Sequence, residues 1–153
     1  QKILLVVNFM KEEIEFLEYI YQNAKMGQDS IINMLKTRNK NDEIELVLKE
    51  QLKDYRKVVN SASAMLERRM KKAKDINVMA KIGTYMNIKL NMLGDDSPQK
   101  VADMFIEGSK MGIEQIEKNL QEYNISNKYV KNLGEKLLEI EKKNISNLHK
   151  YSK

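Results

Sequence analysis

Residues 24 to 31 read AKMGQDSI and residues 109 to 116 read SKMGIEQI, so the pattern Lys-Met-Gly-x-x-x-Ile occurs twice, 85 residues apart. With the same offset and no gap, further positions agree downstream, at Leu35/Leu120, Leu48/Leu133, Leu52/Leu137 and Ser61/Ser146. Chance similarity between Lys-rich helices explains isolated matches, but it explains an ungapped block less well. The repeat therefore predicts two related units, residues 11 to 73 and 97 to 151.

Each unit shows the pattern of two amphipathic helices. Apolar residues recur every three or four positions, which is the period of a helix with one buried face. The pattern breaks at residues 39 to 41 in the first unit and at 123 to 126 in the second. Asn41 and Ser126 are the expected N-caps of the helices that follow, and Ser97 with Pro98 begins the second unit. Each unit is thus predicted to be a helical hairpin.

Two hairpins that each bury one apolar stripe are expected to pack together as a four-helix bundle. Residues 75 to 93 carry an apolar seam of their own between Asp75 and Gly94. A helix of about 18 residues spans about 27 Å, more than a short up-down connection needs. We therefore predict an all-α, ferritin-like topology with a helical crossover at about 75 to 93.

The paired glycines are predicted to serve helix packing. Glycine inside a helix costs up to about 1 kcal/mol relative to alanine, so Gly27 and Gly112 need a structural reason. Close approach of two backbones at a pseudo-twofold axis is the simplest reason. Met26 and Met111 are expected to fill the irregular space beside them, because methionine adapts its shape to gaps.

Composition narrows the class of protein. The chain has 153 residues, which is enough for one domain, and we place that domain at residues 10 to 153. It has no cysteine, which fits a reducing cytoplasm. Its net charge is +5, but Lys and Glu alternate along the predicted helices as on an ordinary soluble surface. No phosphate-binding loop or catalytic triad is present, and no aromatic-basic pattern indicates nucleic-acid binding.

The first nine residues, QKILLVVNF, differ in composition from the rest. Their apolar run is too short to span a bilayer, which needs about 20 residues. Met10 and the charged residues after it resemble a natural start. We therefore expect residues 1 to 9 to be a non-native or upstream extension and exclude them from the functional analysis of the sequence.

The stretch GDDSPQKVADMFIEGSKMGIEQIEKNLQEY, residues 94 to 123, resembles a bacterial ferritin-like four-helix-bundle family of unknown function, allied to ferritins and rubrerythrins. The likeness covers about residues 12 to 151. Di-iron members of the wider group place a Glu on each of two helices and Glu-x-x-His on the other two. The corresponding positions here are Glu18, Glu50, Asp103 and Glu135.

Histidine is missing where that resemblance requires it. Lys53 follows Glu50 by three residues, Leu138 follows Glu135 by three, and the sole histidine is His149. Two functions follow. The first is a non-catalytic bundle with an interaction or stress-associated role, acting as a homodimer. The alternative is a carboxylate-only protein that binds iron or manganese for oxidation or storage. The four carboxylates either hold such a metal or face water, because burial without a cation is prohibitive.

Overall fold

A computed structural model describes residues 1 to 71 and 94 to 152. The described chain forms four α-helices, namely α1 (Lys2–Arg38), α2 (Glu43–Arg68), α3 (Pro98–Glu122) and α4 (Lys128–Leu148), and ends in a short 3-10 helix, His149–Tyr151. No strand occurs in these two stretches, and the all-α prediction is confirmed. The predicted crossover at 75 to 93 lies outside the described residues.

The helix starts differ by one residue from two of the predicted caps. Asp42 caps α2 through its side chain, whereas Asn41 lies one residue earlier with a left-handed φ of 54°. Asn127 caps α4 by accepting from two backbone N–H groups, so Ser126 is not the cap. The predicted start of α3 is confirmed, because the Ser97 side chain accepts from the Lys100 N–H ahead of Pro98.

Contacts between distant residues define the directions of the helices. Asn23 of α1 bonds to Gly112 in α3, whereas the Tyr123 ring, just after α3, contacts Phe16, which lies earlier in α1. Helix α3 therefore runs antiparallel to α1. Phe16 also lies against Gly134, early in α4, so α4 runs parallel to α1.

The direction of α2 follows from two ion pairs with the last part of the chain. Lys143 of α4 pairs with Asp54 of α2, and the later Lys150 pairs with the earlier Glu43, so α2 is antiparallel to α4. The four helices run up, down, down and up. Arg69, just after α2, pairs with Glu13 at one end of the bundle, whereas the residues just before α3 lie at the other end. Residues 71 and 94 therefore stand at opposite ends.

The core combines apolar packing with a buried ion pair. Helix α1 packs along α2 and α3 along α4, and the two hairpins meet mainly through α2 and α4. Fully buried large side chains come from all four helices, among them Phe16, Leu17, Ile31, Leu48, Leu66, Ile116, Leu137 and Leu148. At the end near the start of α3, buried Arg38 bonds to Asp42, to Glu45 and to the Asp96 carbonyl, which ties α1 to α2 and to α3.

The first turns of α1 project beyond the bundle. Residues 2 to 10 continue the helix without a break, although the sequence analysis sets residues 1 to 9 apart. The bundle begins at about Glu13, which pairs with Arg69, so roughly ten helical residues extend about 15 Å past it. In the described parts of the chain, we find no helix long and apolar enough to cross a membrane.

Candidate functional site in the bundle core

Gly27 and Gly112 each lie against a large side chain of the next helix. A Cβ placed on Gly27 would stand 2.4 Å from the Tyr55 ring of α2. A Cβ on Gly112 would stand 3.2 Å from Cδ of Glu141 in α4 and 3.4 Å from Oδ1 of Asn23. The nearest atoms to each position are thus side-chain atoms, and these glycines make room for Tyr55 and Glu141.

These two side chains meet in the centre of the bundle. Tyr55 Oη donates a hydrogen bond of 2.8 Å to Oε1 of Glu141, and it accepts one of 3.1 Å from Nδ2 of Asn144. Glu141 is 3 % exposed and Asn144 is fully buried. We call Tyr55, Glu141 and Asn144 the core triad. It lies between α2 and α4, at the level of the two glycines.

Further polar groups hold the backbone around the core triad. Asn23 Nδ2 of α1 donates to the Gly112 carbonyl of α3 at 3.3 Å. Gln51 Nε2 of α2 donates to the Asn144 carbonyl at 3.5 Å. Both side chains are buried, so these bonds satisfy groups that water does not reach. All four helices therefore contribute to one buried polar layer.

Burial dominates the electrostatics of this layer. It raises the pKa of Glu141 from 4.5 to about 7, because the charged form loses its hydration, while the hydroxyls of Ser109 and Tyr55 lower the pKa by a smaller amount. The pKa of Tyr55 lies well above its usual value, first because of burial and then because of the Glu141 carboxyl. Near neutral pH the tyrosine is therefore neutral, and Glu141 is the group that can titrate.

Two acceptor atoms of the core triad remain without a partner in the described parts of the chain. They are Oε2 of Glu141 and Oδ1 of Asn144, and both are buried. Buried acceptors without donors are uncommon in folded proteins, because each loses its bonds to water without replacement. The Ser109 hydroxyl lies near enough to lower the pKa of Glu141, but it makes no hydrogen bond of normal geometry to Oε2, so the pair marks a position that lacks a well-placed donor.

The residues proposed as metal ligands lie elsewhere. Glu50 is exposed on α2 and pairs with Lys53 at 3.0 Å, and Glu135 is exposed on α4. Asp103 accepts a hydrogen bond from the Ser152 hydroxyl, and Glu18 is half-buried on α1. Across residues 1 to 71 and 94 to 152, no group of three or more His, Asp or Glu side chains is placed to hold a metal ion.

The methionines beside the glycines also differ in their surroundings. Met26 is half-buried, whereas Met111 is 58 % exposed and so does not fill a gap in the core. The two copies of the repeated pattern thus have unlike environments at this position.

Sequence reasoning missed the core triad as a site. Tyr55 continues the three-to-four spacing of Leu48 and Leu52, and Asn144 continues that of Leu137 and Ile140. A polar residue within such an apolar stripe is the available signal. Glu141 lies one position beyond Ile140 of the same stripe and reads as an ordinary flanking glutamate. Its burial depends on the close approach of α3, which the glycine at position 112 permits.

The described architecture defines an all-helical bundle protein with a buried polar layer. Comparison with protein-family models, with curated proteins and with solved structures finds no match to this chain.

Proposed function

We propose that this chain is a non-catalytic bundle of the ferritin-like type that works through protein–protein contact, and that its partner is a second copy of itself. The up-down-down-up order supports the ferritin-like part, because that order requires one connection along the length of the bundle. The repeated hairpins are supported by the starts of α2 and α4, which lie 85 residues apart at Glu43 and Lys128. We place the protein in the cytoplasm, in keeping with its lack of cysteine.

The observation that carries the proposal is the projecting start of α1, and the proposal takes residues 1 to 9 as part of the protein, contrary to the expectation from their composition. Its large apolar side chains are between 40 and 79 % exposed, and they are Ile3, Leu4, Leu5, Val6, Val7, Phe9 and Met10. They occupy every side of the helix, so no polar face remains to meet water. Helices that are apolar all round are normally buried. We call residues 3 to 10 the apolar extension.

The apolar extension offers a contact surface for a dimer. A specific dimer interface buries about 800 Å² on each partner. A partner helix covers only the side of the apolar extension that faces it, so the seven apolar side chains supply part of that area. Contiguous apolar patches of this size on soluble proteins mark interaction sites.

The chain on the two sides of Val7 allows an antiparallel pair. If two apolar extensions cross at Val7, Lys2 of each copy lies at the level of Glu12 of the other, and both charged side chains leave the helix about 140° from Val7, away from the contact. The apolar residues on the Val7 side then face each other, and the two bundles lie at opposite ends. A parallel pair would instead put the two Lys2 side chains at one level and the two Glu12 side chains at another, which is unfavourable.

Sedimentation velocity over a range of concentrations tests this proposal. We expect the wild-type chain to form a species of twice its 17.9 kDa mass. Val7→Glu should give monomers with an unchanged far-UV circular dichroism spectrum, because Val7 is exposed and outside the bundle. The matched control is Leu46→Glu, which changes a 58 % exposed leucine on α2 and should leave the dimer intact. A monomeric wild type, or a dimer unaffected by Val7→Glu, would overturn the proposal.

Iron or manganese binding at Glu18, Glu50, Asp103 and Glu135 stays a prediction from the sequence. The outward positions of Glu50 and Glu135 give it no support. Metal analysis of protein from iron-supplemented cells, compared with Glu50→Ala, tests it independently of the oligomeric state.

A further inference from the structure

The two unpartnered acceptors of the core triad lie on successive turns of one helix. Glu141 and Asn144 are three residues apart on α4, so their side chains leave the same face. Tyr55 Oη already uses its proton on Oε1 of Glu141 and receives one from Nδ2 of Asn144. What remains is Oε2 on one side chain and Oδ1 on the other.

An ionised carboxylate cannot satisfy both atoms. In that state Oε2 and Oδ1 are both acceptors, so neither can supply the hydrogen bond that the other lacks. One added proton changes this arrangement, because a carboxylic acid carries an O–H donor on one oxygen and remains an acceptor on the other. The missing donor is then supplied without any further group.

We propose that the bundle core is a binding site for one proton, which resides on Oε2 of Glu141 and is donated to Oδ1 of Asn144. The core triad then closes into a ring of three hydrogen bonds. Tyr55 donates to Glu141, Glu141 donates to Asn144, and Asn144 donates to Tyr55. Each polar atom that was left over receives a partner.

Among the described residues, the groups around Glu141 carry no charge that would stabilise its anion. From α1 it is approached by the amide of Asn23, and from α3 by the hydroxyl of Ser109 and the backbone of Gly112. From α2 it meets the phenol of Tyr55, which stays protonated near neutral pH. All of these groups are neutral. Burial accordingly raises the pKa of the carboxyl to about 7.

The consequence is a bundle whose packing responds to pH near neutrality. Loss of the proton leaves a bare charge between α2, α3 and α4, at the level where Gly112 lets Glu141 lie against α3. The ionised form must attract water or separate the helices to be solvated. The proton is therefore a ligand that holds the two hairpins together, and this role is independent of the proposed dimer.

Carbon-13 NMR of the full chain labelled at the glutamate carboxyl carbons tests the inference. We expect one carboxyl to titrate with a midpoint near pH 7, well above the ordinary glutamate range of about 4 to 5. The late-titrating signal should be missing in Glu141→Gln and retained in Glu45→Gln. If Glu141→Gln does not fold, contacts between that glutamate's protons and the Tyr55 ring assign the signal in the wild type.

The same titration distinguishes a proton on Glu141 from a water molecule or a bound cation beside it. A Glu141 carboxyl that titrates with the exposed glutamates overturns the proposal, since the side chain would then be ionised at neutral pH, with water as the donor. A midpoint that falls on addition of K⁺ or Mg²⁺ at constant ionic strength overturns it in favour of a bound cation. A midpoint near 7 that is insensitive to these additions supports the proton site.

Discussion

Replacing Glu141 by Gln should stabilise the protein at alkaline pH. Gln has nearly the same shape, its Oε1 can accept from Tyr55, and its Nε2 can donate to Asn144 Oδ1. It reproduces the hydrogen bonds of the protonated glutamic acid and cannot ionise. The substitution thus fixes the core triad in the state that the wild type holds only when Glu141 carries its proton.

The size of the effect follows from the pKa of Glu141, which is about 7 in the folded protein against an ordinary 4.5. Because the folded-state pKa is raised, the folded protein holds the proton more tightly than the unfolded chain between these values. Stability therefore falls as pH rises from about 4.5 to 7. A difference of about 2.5 pKa units corresponds to roughly 3 kcal/mol above pH 8.

Urea and thermal denaturation at pH 5, 6, 7 and 8, monitored by far-UV circular dichroism, measure the stability of Glu141→Gln relative to wild type. The difference between Glu141→Gln and wild type should be within about 1 kcal/mol at pH 5 and should reach about 3 kcal/mol at pH 8, or roughly 6 to 12 °C in Tm. The other carboxylates titrate alike in both proteins and cancel. The control Glu45→Gln weakens a buried ion pair with Arg38 and should destabilise the protein at pH 8.

A pH-independent difference would contradict the reasoning, since it would mean that Glu141 does not titrate between pH 5 and 8. A Glu141→Gln variant that is less stable than wild type at pH 8 would contradict it more strongly. That result would show that the core stabilises the anion, by a bound cation or by water.

Two further substitution pairs test the packing described above. Gly27→Ala should destabilise the protein by about 1 to 3 kcal/mol, because the added methyl group meets the buried and hydrogen-bonded Tyr55 ring. Gly108→Ala should instead be neutral or stabilising by up to about 1 kcal/mol, since nothing lies within 4 Å of the added carbon. Urea denaturation of both variants measures the difference in their free energies of unfolding. Arg38→Met should lower the free energy of unfolding by about 3 to 5 kcal/mol, because it removes the cation that pairs with the buried carboxylate of Glu45. Lys53→Met should lower it by less than about 1 kcal/mol, because the pair with Glu50 is exposed. Equal losses of stability in thermal unfolding would contradict the role of the buried pair.

Much of the architecture could be predicted from the sequence because helix formation here is local. The three-to-four spacing of apolar residues locates both hairpins, and the Ser97-Pro98 pair locates the start of α3. The caps at Asp42 and Asn127 were missed by one residue. Asn, Asp and Ser are all good caps, so the choice between neighbours depends on backbone angles that the sequence does not specify.

The candidate site was harder to predict because it depends on contacts between distant residues. Glu141 meets Tyr55, which is 86 positions away, and its burial depends on how closely α3 approaches α4. The repeat drew attention to Gly27 and Gly112 for a close approach of two backbones, whereas the structure places side chains of neighbouring helices against them. Local patterns do not distinguish a buried glutamate from a solvated one beside an apolar stripe.

Cysteine cross-linking tests the central functional claim most directly, since the natural chain contains no cysteine. An antiparallel pair that crosses at Val7 places the two Val7 residues opposite each other and the two Ile3 residues roughly 12 Å apart along the axis. Under mild oxidation, Val7→Cys should form a covalent dimer, whereas Ile3→Cys and Leu46→Cys should remain monomeric on a non-reducing gel. Failure of Val7→Cys to cross-link, or equal cross-linking at Ile3, would contradict this arrangement.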